Sequence, residues 1–154
     1  MRICLLSVGK PKDRLLASVH DRYAARIGRL GVEYGARWVA EVRAGGRFSD
    51  EHVREREGRS LLDGGGPAGV RIALDPGGTL LTTEALARRL ERWALPLGTF
   101  LVGGPLGLHA EVRERSDERW SLSPLTLPHE LVRVVVVEQI YRALTILRGL
   151  PYHK

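Results

Sequence analysis

Short apolar runs alternate with amphipathic segments along this chain, and the alternation limits the possible folds more than any other feature. The run RICLLSV (Arg2 to Val8) stops at Gly9, as a buried strand would, and VRIALD and GTFLVGG are two further runs of this kind. Between the runs lie segments with helical spacing, such as DRLLASVHDRYAARIGRLG. The sequence therefore predicts a single α/β domain over residues 1–154 with a mainly parallel sheet.

The segment Pro128–Arg148 is rich in β-branched residues, but its length predicts a helix. Its four consecutive valines favour a strand by propensity, yet the segment has 21 residues, and strands rarely exceed about ten. Gly149 and Pro151 follow it as typical helix-ending residues. Apolar residues such as Leu131 and Val136 fall on different sides, so both sides must be covered. In a domain of this size a second subunit is the expected cover, and we predict a homodimer.

The charge of the chain favours a phosphate-rich partner. The chain has 24 Lys and Arg against 18 Asp and Glu, for a net charge of +6, and only Lys10, Lys12 and Lys154 are lysines. Guanidinium groups bind phosphate in a bidentate way, so nucleic acid is a plausible partner. The alternative is that the arginine excess reflects genomic base composition. Arg43 and Arg47, in the loop RAGGR, are candidates for phosphate contact or are simply solvated.

Cysteine content and hydropathy exclude several classes of protein. The single cysteine, Cys4, rules out an internal disulfide and a cysteine-based zinc cluster, and its apolar neighbours indicate a buried side chain. No apolar stretch reaches the roughly 20 residues that span a bilayer, and no secretory signal precedes the first strand. We expect a cytoplasmic protein with neither a metal nor a membrane partner.

Three segments have the character of ligand-binding loops. The sequence LVGGPLGL places Gly103 and Gly104 after a strand, and LDPGG follows another strand that ends near Leu74. Glycines at strand ends let a ligand approach the backbone, although a plain tight turn is an equally good interpretation. If the two strands are neighbours, the two glycine turns lie side by side. The third segment, SLSPLTLPH, offers hydroxyl groups and leucines to a ligand, or is only an irregular connection.

Few residues are candidates for acid–base chemistry. His129 begins the last helix and is interpreted as its cap. Glu138 and Arg142 are one helical turn apart, which predicts either a surface ion pair or a functional pair. The other internal histidines are interpreted as solvated: His20, His52 and His109.

The combination of these motifs resembles a known family. VGK after the first strand, GGPLGL, SLSPLTLPHELVRVVVVEQIYRA and the terminal PYHK are similar, at these spacings, to the bacterial large-subunit ribosomal RNA pseudouridine N3-methyltransferases. That family belongs to the SPOUT superfamily of knotted methyltransferases. The resemblance covers the whole chain and is densest over residues 101–154.

The resemblance implies a fold, a cofactor and a substrate. It implies a homodimer with a C-terminal trefoil knot that binds S-adenosylmethionine, and a pseudouridine in large-subunit (23S) rRNA, within the 70S ribosome, as the methyl acceptor at N3. The cofactor-binding positions that it implies are Leu74, Gly103, Gly104, Leu122, Ser123, Pro124, Leu125, Thr126 and Leu127.

The terminal residues then become candidates for catalysis. Tyr152 would stack on a base, His153 would accept the imide proton and Lys154 would touch phosphate, while Arg142 would orient the base or meet a phosphate. Two other functions remain open from the sequence. One is a ribosome-binding protein that has lost its cofactor, and the other is a SPOUT enzyme that acts on tRNA.

Overall fold

The computed structural model describes residues 1–43, 45, 47–65, 69–92 and 97–154. Strands and helices alternate along the described part of the chain. In chain order the elements are β1 (Arg2–Val8), α1 (Arg14–Arg29), β2 (Glu33–Val39), α2 (Asp50–Gly64), β3 (Gly69–Leu80), α3 (Thr83–Arg92), β4 (Leu97–Val102), α4 (Ala110–Glu114), β5 (Glu118–Ser121) and α5 (His129–Leu147).

The five strands form one sheet in the order β2-β1-β4-β3-β5. Every pair of neighbouring strands is parallel, so the prediction of an α/β domain with a parallel sheet is confirmed. The carboxyl ends of parallel strands lie at one edge of the sheet, and ligands bind to α/β sheets at that edge. Leu74 of β3 pairs with Val102 of β4, which brings the segments after both residues together.

Strand β3 is longer than the sequence suggested. The sequence LDPGG was expected to turn the chain at the end of this strand, but β3 resumes pairing with β5 after an irregularity between Leu74 and Thr79. Pro76 has no N–H group and cannot donate to the ladder, which accounts for the interruption. The prediction of a terminal turn is therefore wrong, and the segment is a bulge inside the strand.

Helices cover both faces of the sheet. On one face α5 packs between α1 and α3, and on the other α2 packs against α4. The first face holds the larger apolar core, which includes Ile3, Phe100 and Ile140, whereas the second is centred on Leu61 and Leu101. Cys4 is buried in β1, as expected.

Helix α5 is confirmed as a helix and is the central element of its layer. Its buried side includes Val136 and Ile140, which are at most 2% exposed. Leu131 and Val135 are only partly covered, which agrees with the expectation that this helix is apolar on more than one side. None of the helices in the described part of the chain is long and apolar enough to cross a membrane.

An arginine joins the start of α5 to the end of β1. Arg133 is 5% exposed, and its Nη2 atom donates to the carbonyl oxygens of Val8 at 2.7 Å and Gly9 at 2.6 Å. Both carbonyl groups lie where β1 leaves the sheet, so the guanidinium replaces the partners that the strand ladder no longer provides. This contact holds the first turns of α5 at the edge where the strands end.

Candidate cofactor cleft and C-terminal tail

A cleft of about 560 Å³ opens at the carboxyl ends of β3, β4 and β5. This volume lies within the range of about 300 to 1,000 Å³ that is usual for small-molecule sites. Three segments form its walls: the end of the first half of β3, the glycine turn after β4 and the loop after β5. Of the nine cofactor positions predicted from the sequence, eight line the cleft: Leu74, Gly103, Gly104, Leu122, Ser123, Leu125, Thr126 and Leu127.

The glycine turn after β4 is both a tight turn and a wall of the cleft. The Gly107 N–H donates to the Gly104 carbonyl at 3.0 Å, and Gly107 has a φ of 82°. A Cβ atom at Gly103 would lie 2.7 Å from the carbonyl carbon of Gly107, which leaves no room for a side chain. The two interpretations that the sequence left open are therefore compatible, because the tightness of the turn exposes its backbone to the cleft.

A buried carboxyl group lies behind this turn. Glu57 of α2 is 3% exposed, and its Oε1 accepts the Val42 N–H at 2.9 Å. A Cβ atom at Gly104 would lie 3.0 Å from Oε2 of Glu57, and this oxygen has no hydrogen-bond partner among the described residues. Burial raises the pKa of Glu57. Glu57 thus joins the glycine turn to the loop that carries Arg43.

Replacing Glu57 with glutamine is expected to stabilise the protein at neutral pH by about 1 kcal/mol, because it removes a buried and half-partnered charge. The pKa of Glu57 is higher in the folded state, so the wild-type carboxyl costs nothing well below its unfolded pKa of 4.5. Stability then falls as pH rises from the unfolded to the folded pKa and is constant above it. Urea unfolding at pH 4.5 and 7.5 measures this difference. Glu55→Gln is the control, since Glu55 lies on the same helix but pairs with Arg59 at 2.5 Å.

Hydrogen bonds between residues two positions apart shape the loop after β5. The Ser121 hydroxyl donates to the Ser123 carbonyl at 3.0 Å, and the Leu125 N–H donates to the Ser123 hydroxyl at 2.9 Å. Pro124 is exposed and is the one predicted cofactor position that does not line the cleft. Leu125 is 75% exposed at the mouth, where a ligand would cover it.

His129 lies in the wall of the cleft and does not cap α5. The cap position belongs to Pro128, which makes no side-chain hydrogen bond, so the capping interpretation is wrong. Burial, followed by the charge of Arg133, lowers the pKa of His129, and its imidazole is neutral at pH 7. Val132, one turn further along the helix, also lines the cleft.

Two other histidines are less solvated than the sequence indicated. His20 is partly buried, and its Nε2 lies 2.9 Å from the Tyr34 hydroxyl. His109 caps α4, because its Nδ1 accepts the Glu111 N–H at 3.3 Å. The local signal for the second role was present, since a polar residue directly before a helix commonly accepts such a bond.

The C-terminal tail is packed against α5. Gly149 has a φ of 62°, and the Leu150 N–H donates to the Thr145 carbonyl at 2.9 Å, which turns the chain back over the helix. The Tyr152 hydroxyl donates to Oε1 of Glu138 at 3.1 Å, and the Tyr152 ring packs edge-on against Tyr141 with centroids 4.8 Å apart.

The three predicted catalytic residues meet on this surface. The Arg142 guanidinium donates to Glu138 at 2.6 Å and lies 4.7 Å from the centre of the Tyr152 ring. His153 Nε2 is 2.9 Å from Oε1 of Glu84, so α3 holds the imidazole. Burial, together with the hydrogen bonds to Tyr23 and Glu138, raises the pKa of Tyr152, which stays protonated at neutral pH.

The tail and the cleft are separate within one chain. The cleft touches α5 at Val132, whereas the tail packs on the same helix at Tyr141. Nine residues of helix correspond to roughly 13 Å along the axis. The structure therefore gathers the predicted cofactor residues in one place and the predicted catalytic residues in another.

Sequence reasoning missed two charged side chains at the cleft. Asp75 lies in the wall directly after Leu74, and Glu57 lies behind the glycine turn. An acidic residue straight after a buried strand is a usable signal in the first case. In the second case no local pattern marks the residue, because only the packing of α2 on the turn buries it.

The fold and the cleft define a class, namely an α/β protein that binds a small molecule at the carboxyl ends of parallel strands. A family model described as "Predicted SPOUT methyltransferase" matches residues 1–153. The chain belongs to this family of SPOUT methyltransferases, and the resemblance seen in the sequence is confirmed.

The chain is also similar over its full length to curated relatives. It is 42% identical over 160 residues to ribosomal RNA large subunit methyltransferase H from Pseudomonas aeruginosa, with all of both chains covered. The protein of the same name from Desulfitobacterium hafniense is 39% identical over 161 residues, with 100% of this chain and 99% of the relative covered.

Solved structures with low sequence identity share the fold. A probable methylase family protein from Haemophilus influenzae superposes with a TM-score of 0.55 at 11% identity, over 99% of this chain and 70% of the other. TrmJ from Z. mobilis gives a TM-score of 0.56 at 12% identity, over 91% of this chain and 69% of the other.

Proposed function

We propose that this protein is a cytoplasmic enzyme that transfers a methyl group from S-adenosylmethionine to N3 of a pseudouridine in large-subunit (23S) rRNA on the assembled 70S ribosome. The observation that carries the proposal is the full-length similarity, at 39 to 42% identity, to relatives named large subunit rRNA methyltransferases. The cleft adds independent support, because its three walls come from the segments that the sequence had singled out.

The cleft has the chemistry that the cofactor requires. Leucines from the loop after β5 offer an apolar surface to an adenine ring, and the turn at Gly103 and Gly104 offers backbone groups to the polar parts of the ligand. The residues that would hold the cofactor are Leu74, Gly103, Gly104 and the loop 122–127. When bound, S-adenosylmethionine supplies an electrophilic methyl carbon on a sulfonium centre.

The reaction forms a bond from N3 of the base to the methyl carbon and breaks the bond from that carbon to sulfur, while the N3 proton must leave. His153 is the group proposed to accept the proton: its Nε2 donates to Glu84 at 2.9 Å, so the lone pair that would accept the proton is that of Nδ1, which has no hydrogen-bond partner among the described residues. Tyr152, which stays protonated, is proposed to stack on the base. Arg142 would orient the base, and Lys154 would meet a phosphate.

A second copy of the chain would complete each site. The tail lies too far from the cleft of its own chain to act there, and Leu131 and Val135 leave α5 partly uncovered. A homodimer that packs these surfaces together would bring the tail of one copy near the cleft of the other. The family resemblance further implies that the C-terminal part of the chain threads through a loop in a trefoil knot, and that this knot builds the cofactor site.

Positive charge near the cleft supports an RNA substrate. The chain has a net charge of +6, and Arg43 and Arg47 are exposed in the loop after β2. Glu57 joins this loop to the glycine turn, so an RNA backbone bound to the arginines would lie close to the methyl donor.

Transfer of a labelled methyl group to three substrates tests the proposal. We expect label in large-subunit rRNA when 70S ribosomes are supplied, and little with isolated large subunits or free tRNA. Equal labelling of tRNA would instead favour a tRNA enzyme. Absence of both label and cofactor binding would favour a ribosome-binding protein without catalysis.

A further inference from the structure

Asp75 gives the cofactor cleft its only formal charge among the lining residues that the structure describes. Every other lining residue is apolar, a glycine, a hydroxyl residue or His129. The imidazole of His129 is neutral at pH 7, because burial and Arg133 lower its pKa. The electrostatic character of the cleft therefore depends on one carboxylate, modified by the charges just behind it.

Two arginines hold the carboxylate from outside the cleft. Oδ2 of Asp75 lies 2.9 Å from Nη2 of Arg119 and 3.9 Å from Nε of Arg113. Neither arginine lines the cleft. Among the described residues Oδ1 has only one long contact, in which the Gly77 N atom lies 3.4 Å away. The side chain is 15% exposed, and its ion pairs with the two arginines hold the carboxylate in the wall of the cleft.

The donor and the product of a methyl transfer differ in charge more than in shape. S-adenosylmethionine carries a sulfonium, an ammonium and a carboxylate group, for a net charge of +1. S-adenosylhomocysteine has lost the methyl group and the sulfonium charge, and its net charge is zero. An apolar cleft distinguishes two such similar ligands poorly, whereas a fixed carboxylate in a partly desolvated wall attracts the sulfonium, which is the one cationic group that the product lacks.

We propose that Asp75 is a specificity-determining residue that makes the cleft prefer the cationic methyl donor to the neutral product, and thereby favours product release. This inference rests on the proposed function. The arginines set its strength, because their positive charge offsets part of the attraction between the carboxylate and the sulfonium.

Calorimetric binding of three ligands to the full chain tests the proposal: S-adenosylmethionine, S-adenosylhomocysteine and the amine analogue sinefungin, in which a cationic amine replaces the sulfonium. Asp75→Asn keeps the shape of the side chain and removes its charge. We expect the ratio of donor affinity to product affinity to fall about tenfold. The ratio of sinefungin affinity to product affinity should fall by a similar factor. Affinity for the neutral product should change less than twofold, which also shows that the variant is folded.

The matched variant Arg119→Met should shift the ratio the other way. It removes the nearer cation from Oδ2 and leaves the carboxylate in the wall, so we expect the preference for the donor to rise. The inference would be overturned if Asp75→Asn lost affinity equally for all three ligands, or if its ratio of donor affinity to product affinity were unchanged. Either result would leave the proposed function standing. A wild-type chain that binds none of the ligands would overturn both.

Discussion

The substitution Gly103→Ala is expected to weaken S-adenosylmethionine binding about ten- to a hundredfold. The added methyl group would lie 2.7 Å from the carbonyl carbon and 2.9 Å from the carbonyl oxygen of Gly107. Both atoms belong to the backbone of a closed turn, so the turn itself must move. Overpacking of this kind costs about 1 to 3 kcal/mol, and the cofactor would lose the backbone surface that it lies against.

A second glycine-to-alanine change provides the control. Gly28 lies in α1, where a Cβ atom would meet nothing within 4 Å, and alanine stabilises a helix relative to glycine by about 1 kcal/mol. Calorimetric titration with the cofactor and thermal unfolding should be run on both variants. Cofactor affinity for Gly103→Ala within threefold of the wild type would show that the turn does not contact the ligand.

Removal of residues 152–154 is expected to reduce methyl transfer at least about a hundredfold, as loss of a general base typically does. Cofactor affinity should stay within about twofold of the wild type, because none of the three residues lines the cleft of its own chain and the roles proposed for them in the dimer are contacts with the RNA. Single-turnover methyl transfer at saturating cofactor separates the two effects.

Two single substitutions refine this test. His153→Gln removes the proposed proton acceptor and should account for most of the loss, whereas Tyr152→Phe keeps the ring that packs on Tyr141 and should have a smaller effect. If the shortened chain instead lost cofactor binding and retained its rate at saturation, the tail would be a cofactor lid and not a catalytic element.

The fold could be predicted from the sequence because its signals are local. Apolar runs that end at glycines mark β1 and β4, and the length of α5 outweighs the strand propensity of its valines. The bulge in β3 could not be predicted, because pairing resumes beyond Pro76 only where β5 lies alongside. The strand propensity of LDPGG does not indicate whether another strand will lie beside it.

The cleft was predictable in outline and the tail was not. The carboxyl ends of neighbouring parallel strands lie at one edge of the sheet, so the pairing of Leu74 with Val102 brings together the two glycine-containing segments that follow them. The contact of His153 with Glu84 joins residues 69 positions apart, and no sequence pattern reports such a distance. His129 looked like a cap because it begins the helix, but Pro128 takes the cap position and leaves the imidazole for the cleft.

Nucleoside analysis of 23S rRNA tests the central claim most directly. Ribosomes from cells that lack this gene would be compared with ribosomes from the same cells supplied with the wild-type chain or the Gly103→Ala chain. We expect N3-methylated pseudouridine in the large-subunit rRNA only when the wild-type chain is present. Unmodified rRNA in all three samples, or a methyl group that appears in tRNA instead, would contradict the assignment.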